Sequence, residues 1–542
     1  SYLHHSSSSY DLGNISVESS GAGKLGLNLG GGLDYQLNDK VKLNVEPRFQ
    51  LVSGFNELVL NLYAVINIGS SYLSGMLATK SQQGRVLPLV AHRIPTNGCV
   101  RQGSIHNIEE AAQRIGSLLD SLSLSLPEEA KIEGVYVGLE CRSMRSERYD
   151  AFIDLGPEGC VVTPDHLETL KDQVNDASYP GMTILSVTDP RYRCDGKREP
   201  NPRGVRCSRL EAQYLLIVAR QNIIVNVRET IEDRLQLRLL GILPTPIAEA
   251  SATLTMEEMA LGCAYVNIGG GTTSVAIYQE RFPVALFVLP LGGNNVTRDL
   301  TQLSIPLLES DAERLKVERG SMNLSIPRNQ EIEATSVDGG STKRFSQLEV
   351  NRYVSARVLE ILSNVVSIIR EAGCAESISK GFVFAGGVTR TDHFYETLRR
   401  LSPEYRQASL RRDIYEDGCD SGLVEAFMTE IALAYQAKEP GVTFELRSLS
   451  SLMDEEPSKP FAEPAKVAEP EPTQQSSKEE TYTYTTISQP QGLDEDYEDD
   501  FDEDDEPQPR KAKEPKSKGP SLLDRLTKGF SDFFGAESGD DY

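Results

Sequence analysis

The sequence has no tryptophan and only six histidines, and its eight cysteines, at 99, 141, 160, 194, 207, 263, 374 and 419, contain no CxxC pair. That combination excludes the ligand spacing of a zinc ribbon or finger and reads as isolated free thiols of a reducing cytosol. Long apolar runs are missing too, so no segment reaches the length of a membrane-spanning helix, and the first residues lack the charged and apolar regions of a secretory leader. The expectation is a protein that is soluble or peripheral to a membrane. Positive charge is in short supply: 55 Lys and Arg stand against 80 Asp and Glu, a net charge of -25, which argues against general nucleic-acid binding.

Glycine is concentrated where it matters. In Tyr265–Tyr278, YVNIGGGTTSVAIY, an apolar strand enters three glycines and two threonines and leaves as a second apolar alternation. Gly269, Gly270 and Gly271 remove the Cβ atoms that would hold an anion away from the backbone amides, and the turn is too long for a two-residue hairpin. It reads as a phosphate cradle, or as a loop that merely needs conformational freedom. The design is repeated in Tyr63–Ser71, YAVINIGSS, followed by an apolar run from Tyr72 to Leu77. Two such hairpins suggest two related halves closing on one ligand.

The paired hairpins resemble those of the actin, Hsp70 and sugar-kinase superfamily, and within it the chain is most similar to the FtsA family of bacterial cell-division proteins. Further stretches carry the resemblance: the run from Arg101 to Glu110, Asp195-Gly196 with Pro202-Arg-Gly-Val, Leu291-Gly-Gly-Asn-Asn-Val-Thr, Ala312-Glu-Arg-Leu-Lys before Gly320, and Phe384-Ala-Gly-Gly-Val. The resemblance covers roughly residues 60–440 and the extreme C-terminus. It implies an α/β, actin/Hsp70-like two-lobed fold with an FtsA-type inserted subdomain and a long disordered C-terminal tail. It implies ATP, with Mg, as the ligand. Asn67, Gly69, Ser70 and Ser71 of one hairpin and Asn267, Gly269, Gly270, Gly271, Thr272 and Thr273 of the other would meet the phosphates. Glu313 and Lys316, with Gly386 and Gly387, would meet ribose and adenine.

The chain departs from the superfamily at its most chemical positions. Where both hairpins normally carry Asp-Ile-Gly, this sequence has Asn67-Ile68-Gly69 and Asn267-Ile268-Gly269, and Ser274 stands where a third acid is frequent. A neutral amide keeps the size and hydrogen bonds of the carboxylate but loses the charge that holds magnesium through its water shell. Magnesium binding should weaken and turnover weaken more, with no direct metal ligand and no assigned catalytic residue.

The organisation expected in chain order begins with an atypical extension, residues 1–58. Its alternations Leu25 to Leu37 and Val41 to Leu51, around Asn38-Asp-Lys, predict a β-hairpin similar to the last strands of an outer-membrane barrel but too short to close one. It is either a fusion or gene-boundary artefact or a genuine β-extension. Residues 59–140 would form the first actin-like subdomain, with a helix from Ile105 to Leu126. Residues 141–220 would form an inserted unit with a helix starting at Thr163, which the resemblance makes the self-association surface. His166 in that helix's first turn is tempting as an acid or base, but a structural role fits it better. A helix is expected from Ile223 to Leu240. Residues 221–440 would form the second lobe, whose small subdomain near 318–352 would grip the C-terminal peptide of the tubulin-like FtsZ. Helices are expected at Val354–Ala372 and Asp420–Ala437.

Residues 441–520 are polar and acidic, with a block from Asp494 to Glu506 broken only by Tyr497 and Phe501, and read as an extended spacer. After the basic cluster that starts at Arg510, residues 521–535 place Leu522, Leu523, Leu526, Phe530, Phe533 and Phe534 on one helical face, with Arg525 and Lys528 beside it. This reads as an interfacial membrane helix, against the alternative of docking into a protein groove. Taken with the resemblance, the expected role is a polymerising, peripheral tether of FtsZ filaments on the cytoplasmic face of the inner membrane at the division site, with other division proteins as further partners and no nucleic acid. The rival readings are a phosphotransferase or ATPase of the same superfamily and a pilus-assembly relative.

Overall fold

The computed structural model describes residues 61–127, 130–335, 342–401 and 404–444, and the backbone of six short strands between Ser9 and Leu51. Within the extension, Leu33–Asn38 and Val41–Val45 pair antiparallel, as the alternation around Asn38-Asp-Lys predicts. The acidic spacer and the helix expected at 521–535 lie outside the described residues.

Two five-stranded sheets share one topology. In the first, the order is Arg238–Pro244, Gly134–Leu139, Leu62–Ile68, Tyr72–Lys80, Val86–Pro95. In the second it is Phe282–Leu289, Thr273–Gln279, Cys263–Ile268, Phe382–Ala385, Tyr405–Gln407. In each, a three-stranded antiparallel meander supplies its first strand to a parallel pair. Strands such as Leu62–Ile68 are near-continuous apolar runs because both sheet faces are covered. The helix Ile108–Ser123 buries Ala111, Ile115, Leu118 and Leu122 on one face of the first sheet, while Ile431 and Leu433 of Met428–Gln436 pack with Tyr63, Val65 and Met76 on the other. The long helix Gln347–Glu371 covers the second sheet through Val354, Val358, Ile361 and Val365.

Several element boundaries differ from expectation. The first helix begins at Ile108, because Asn107 accepts from the Glu110 amide at 3.0 Å and Ile105 is held in a two-residue strand. The helix expected from Ile223 to Leu240 runs over Gln221–Arg228, widens to a π-helical turn over Glu229–Arg234 and stops, with Gln236 at φ 55°. Leu239 and Leu240 instead enter the strand Arg238–Pro244, whose parallel pairing with Gly134–Leu139 outweighs helical spacing. Residues from 221 to 244 therefore complete the first lobe, and the second lobe begins later than 221. The chain also returns: Val442–Phe444 pairs with Ala130–Ile132 of the first lobe. The long helix starts at Gln347 rather than Val354, since the Ser346 hydroxyl caps it. The last helix is two, Ser421–Ala426 and Met428–Gln436, broken at Phe427 with φ -122° and ψ 36°.

The inserted unit hangs on strands Arg145–Asp154 and Arg209–Arg220, paired over ten residues, with Arg191–Cys194 and Met182–Val187 also on the second of these. One face of this sheet buries Ala151, Leu210, Ala212, Tyr214 and Leu216 against Leu170 and Val174 of the helix Pro164–Asn175. His166 Nδ1 accepts from the Thr163 amide at 3.2 Å, closing a capping box, which is the structural role expected for it. The region near 318–352 holds a hairpin of Glu331–Thr335 and Thr342–Ser346. Among the described residues no helix is long and apolar enough to cross a membrane.

Candidate functional site

The two glycine-bearing hairpins meet tip to tip. In each, the amide after the Asn-Ile pair closes the turn on a carbonyl three residues on: Gly69 N to Tyr72 O at 3.1 Å and Gly269 N to Thr272 O at 2.9 Å. A Cβ on Gly271 would stand 2.6 Å from Ser70 Oγ and 2.7 Å from Ser70 Cβ, and one on Gly270 would press on the side chain of Ser71. Glycine is required here by the approach of the other lobe. The Ser70 hydroxyl accepts from the Gly103 amide at 2.9 Å, and Ser71 Oγ donates to Asn294 Oδ1 at 3.0 Å across the gap.

A cleft of about 250 Å³ opens beside these tips. Asn67, Gly69, Ser70, Ser71, Asn267, Gly269 and Gly270 line it from the hairpins, and Gly386 and Gly387 from the turn after Phe382–Ala385. Gly386, at φ 97°, lies so close to Asn267 Oδ1 and the Ile268 carbonyl that no side chain fits. The other expected contacts sit behind the wall. Thr273 Oγ1 donates to Leu291 O at 2.7 Å, and Thr272 bonds the Glu140 carboxyl. Lys316 Nζ donates to Gly293 O at 3.1 Å, Thr297 Oγ1 at 2.8 Å and Glu313 Oε2 at 2.6 Å. Glu313 and Lys316 thus brace the helix Gly293–Leu300, whose first amides, Gly293 N and Asn294 N, donate to the Gly269 and Gly270 carbonyls at 2.9 and 2.7 Å. Neither lines the cleft.

Three buried carboxyls that the sequence reading assigned no role surround the two asparagines. Glu249 Oε2 accepts from Asn267 Nδ2 at 2.8 Å and the Tyr265 hydroxyl at 3.2 Å, and Oε1 accepts from Thr429 at 2.5 Å. Glu140 Oε2 accepts from Ser274 Oγ at 3.1 Å. Glu430 accepts from Ser74 Oγ and also bonds Asn67. Burial pushes Glu140 up to about 7 and Glu249 up to about 8, the latter also through the Glu140 charge, with the hydroxyl and amide donors opposing. Burial raises Glu430 as well. The register makes this a repeated arrangement: Asn67 lies opposite Ser74, and Asn267 opposite Ser274. In sequence, the one available signal was an acid flanked by apolar residues, as in Leu139-Glu140-Cys141 and Ala248-Glu249-Ala250.

Two acceptors stay open. Asn267 Oδ1 and Glu430 Oε2 are buried with no hydrogen-bond partner, whereas Asn67 Oδ1 accepts weakly from Thr245 at 3.4 Å. Among the described residues no group of three or more His, Cys, Asp or Glu could hold a metal ion.

Two lobes of equal topology, each offering one glycine-bearing hairpin to a shared cleft, with a separate unit inserted after the first lobe's Gly134–Leu139, define an actin-like fold. The profile described as "Cell division protein FtsA" matches residues 264–534. Cell division protein FtsA of Porphyromonas gingivalis is 39% identical over 394 residues, 73% of this chain and 82% of the relative. That of Bacillus subtilis is 27% identical over 357 residues, 64% of this chain and 79% of the relative. The chain belongs to the FtsA family of cell-division proteins. Among solved structures, a chain of a PilM-PilN type IV pilus biogenesis complex has 15% identity and a TM-score of 0.49, covering 69% of this chain and 96% of its own length. MreB5 of Spiroplasma citri bound to ADP has 13% identity and a TM-score of 0.38, over 69% of this chain and 95% of its own.

Proposed function

We propose that this chain binds ATP in the cleft between its two hairpins and, in the nucleotide-favoured state, self-associates and tethers FtsZ filaments to the inner face of the cytoplasmic membrane at the division site. The observation that carries the reading is the tip-to-tip meeting of Ser70 and Ser71 with Gly270 and Gly271 over a cleft floored by Gly386 and Gly387. A nucleotide that touches both hairpins would weigh on the equilibrium between open and closed lobes by its differential affinity for the two.

The residues present fit such a ligand. The turn amides of Ser70 and Ser71 and the Ser70 hydroxyl, which accepts from Gly103 and still has its proton to donate, suit phosphate oxygens, and Gly387, with nothing within 4 Å of where a Cβ would stand, leaves room for a flat ring. Asn267 Oδ1 is an acceptor awaiting a donor. Magnesium would arrive on the nucleotide and neutralise phosphate charge. Asn67 and Asn267 offer it only neutral groups, and burial shifts the nearby Glu140 and Glu249 toward their protonated forms, with pKa values of about 7 and about 8, so hydrolysis would be slow and binding would do the work. The FtsZ peptide is assigned to the small subdomain near 318–352. Membrane attachment is assigned to 521–535, where Leu and Phe side chains inserted among the lipids and the neighbouring basic residues would hold one copy weakly and a polymer firmly.

Co-sedimentation of FtsZ filaments with anionic vesicles tests the tether. FtsZ should pellet with lipid in the presence of the full chain and not with the chain ending at Pro520; no lipid-dependent pelleting with either form would overturn it. Equilibrium binding of a fluorescent ATP analogue tests the cleft separately.

A further inference from the structure

The sheet of the inserted unit has a second face that the strand Phe282–Leu289 meets beside Arg148, Gln213 and Leu215, while among the described residues Asp150, Phe152, Arg193 and Arg209 on the same face stay exposed. Opposite the helix Pro164–Asn175, the strands Arg145–Asp154, Arg191–Cys194 and Arg209–Arg220 enclose a hollow of about 520 Å³. Alternation along the strands brings Arg148, Arg191, Arg193 and Arg209 to it. Only two carboxylates, Asp150 and Glu211, share its lining. Glu211 is taken by Arg209 Nε at 2.8 Å, and Asp150 accepts from Gln213 Nε2 at 2.9 Å.

Two of the arginines are locked into position. Arg191 Nη2 donates to Gln279 O at 2.8 Å, its guanidinium stands 5.2 Å from the Phe282 ring, and Glu280 is 4.0 Å away and shared with Arg198. Arg209 lies over the Phe152 ring at 4.4 Å, and that ring is 47% exposed. Arg148 and Arg193 are exposed and have no ion pair or hydrogen bond among the described residues. Burial pushes the Arg191 guanidinium down, and the charges of Arg198, Arg148 and Arg193 add to this against Glu280. The hollow is thus a positive site in a chain whose net charge is -25.

Its shape and chemistry select the occupant. An open sheet face beside an exposed, arginine-stacked phenyl ring offers carboxylate forks and an aromatic platform at side-chain spacing. We propose that this face binds an acidic peptide segment with interleaved aromatic side chains. A probe of that chemistry is written in the same sequence: residues 494–506, DEDYEDDFDEDDE. Bidentate arginine–carboxylate contacts would hold it, salt would weaken it, and Tyr or Phe would stack beside Phe152.

The test is fluorescence anisotropy of a labelled 492–507 peptide with the full chain, with R148E/R193E, and with a chain whose own 494–506 acids are changed to amides. Binding that falls at least tenfold in R148E/R193E, and falls again when the peptide's acids are amidated, supports the site. Tighter peptide binding by the acid-neutralised chain supports it too, and identifies the chain's own block as a competitor. No binding by either the wild-type or the acid-neutralised chain overturns the proposal. Binding indifferent to the two arginines does so as well, and so does displacement of the peptide by a single-stranded oligonucleotide at lower concentration. Circular dichroism of R148E/R193E separates lost binding from lost folding, since both residues are exposed.

Discussion

The two hairpins differ in what they bring to the same gap. The first carries hydroxyls, Ser70 and Ser71, and the second carries bare glycines, Gly270 and Gly271, so one supplies the volume that the other vacates. Their supporting acids differ too. Asn67 and Ser74 share Glu430, on the helix Met428–Gln436. The second hairpin divides its load, with Asn267 on Glu249 and Ser274 on Glu140. The lesson is that a duplicated topology need not be duplicated chemistry. The carboxyls missing from the strands stand on neighbouring elements, buried, hydrogen-bonded and shifted by burial toward the neutral form.

The sharpest way to break the comparison is to remove Glu249. It accepts from three groups, Asn267, Tyr265 and Thr429, and Glu249→Leu leaves buried donors unpaired at about 1–3 kcal/mol each. Chemical denaturation should show several kcal/mol of lost stability. Glu430→Leu should cost less, since its Oε2 has no partner to lose. Equal losses would mean that the two networks carry equal weight.

Next comes the contact between tips. Gly271→Val drives a branched side chain into Ser70 and should cost roughly 1–3 kcal/mol or force the lobes apart. Adding Ser70→Gly should recover most of the lost stability, because it returns the volume. Valine tolerated without the second change would mean that the tips are not held together in solution.

A smaller effect is expected with pH. Glu140 and Glu249 have folded pKa values of about 7 and about 8, above the ordinary 4.5, so the folded chain holds protons that the unfolded chain releases. Their contribution to stability is complete below about pH 4.5 and is lost as pH rises through about 7 and then about 8. Thermal unfolding of Glu249→Gln should therefore fall less between pH 6 and pH 9 than that of the wild type. Parallel curves would mean that Glu249 is ionised in the fold.

How far this site could be read beforehand follows from what each signal depends on. Both hairpins were legible because strand, glycine and hydroxyl lie consecutively in the chain, and the cross-strand register is local. The helix Pro164–Asn175 was legible because its Thr163 cap and proline sit at its start. The strand Arg238–Pro244 was hidden by leucines that fit helical spacing, and only its parallel partner, about a hundred residues earlier, decides its form. Glu249 and Glu430 are far apart in the chain and meet the hairpins only through packing. Lys316 was placed near the nucleoside by analogy, while its hydrogen bonds belong to Gly293, Thr297 and Glu313.

These acids also change how the asparagines should be tested. Asn267→Asp alone puts a second carboxyl within hydrogen-bond reach of Glu249, and Asn67→Asp does the same beside Glu430. Like charges so close share a proton, so the single changes should raise a pKa more than they restore a charge. The informative variant moves the carboxyl without adding one: Asn267→Asp with Glu249→Gln, which keeps an amide–acid pair in reversed order. Magnesium-dependent ATP affinity, measured with and without the metal, should rise by roughly tenfold in the exchanged pair and change little in Asn267→Asp alone, a difference of about 1.4 kcal/mol. An equal rise in both would mean that Glu249 does not restrain the second hairpin. No rise in either would mean that the asparagines are not what keeps the metal's hold weak.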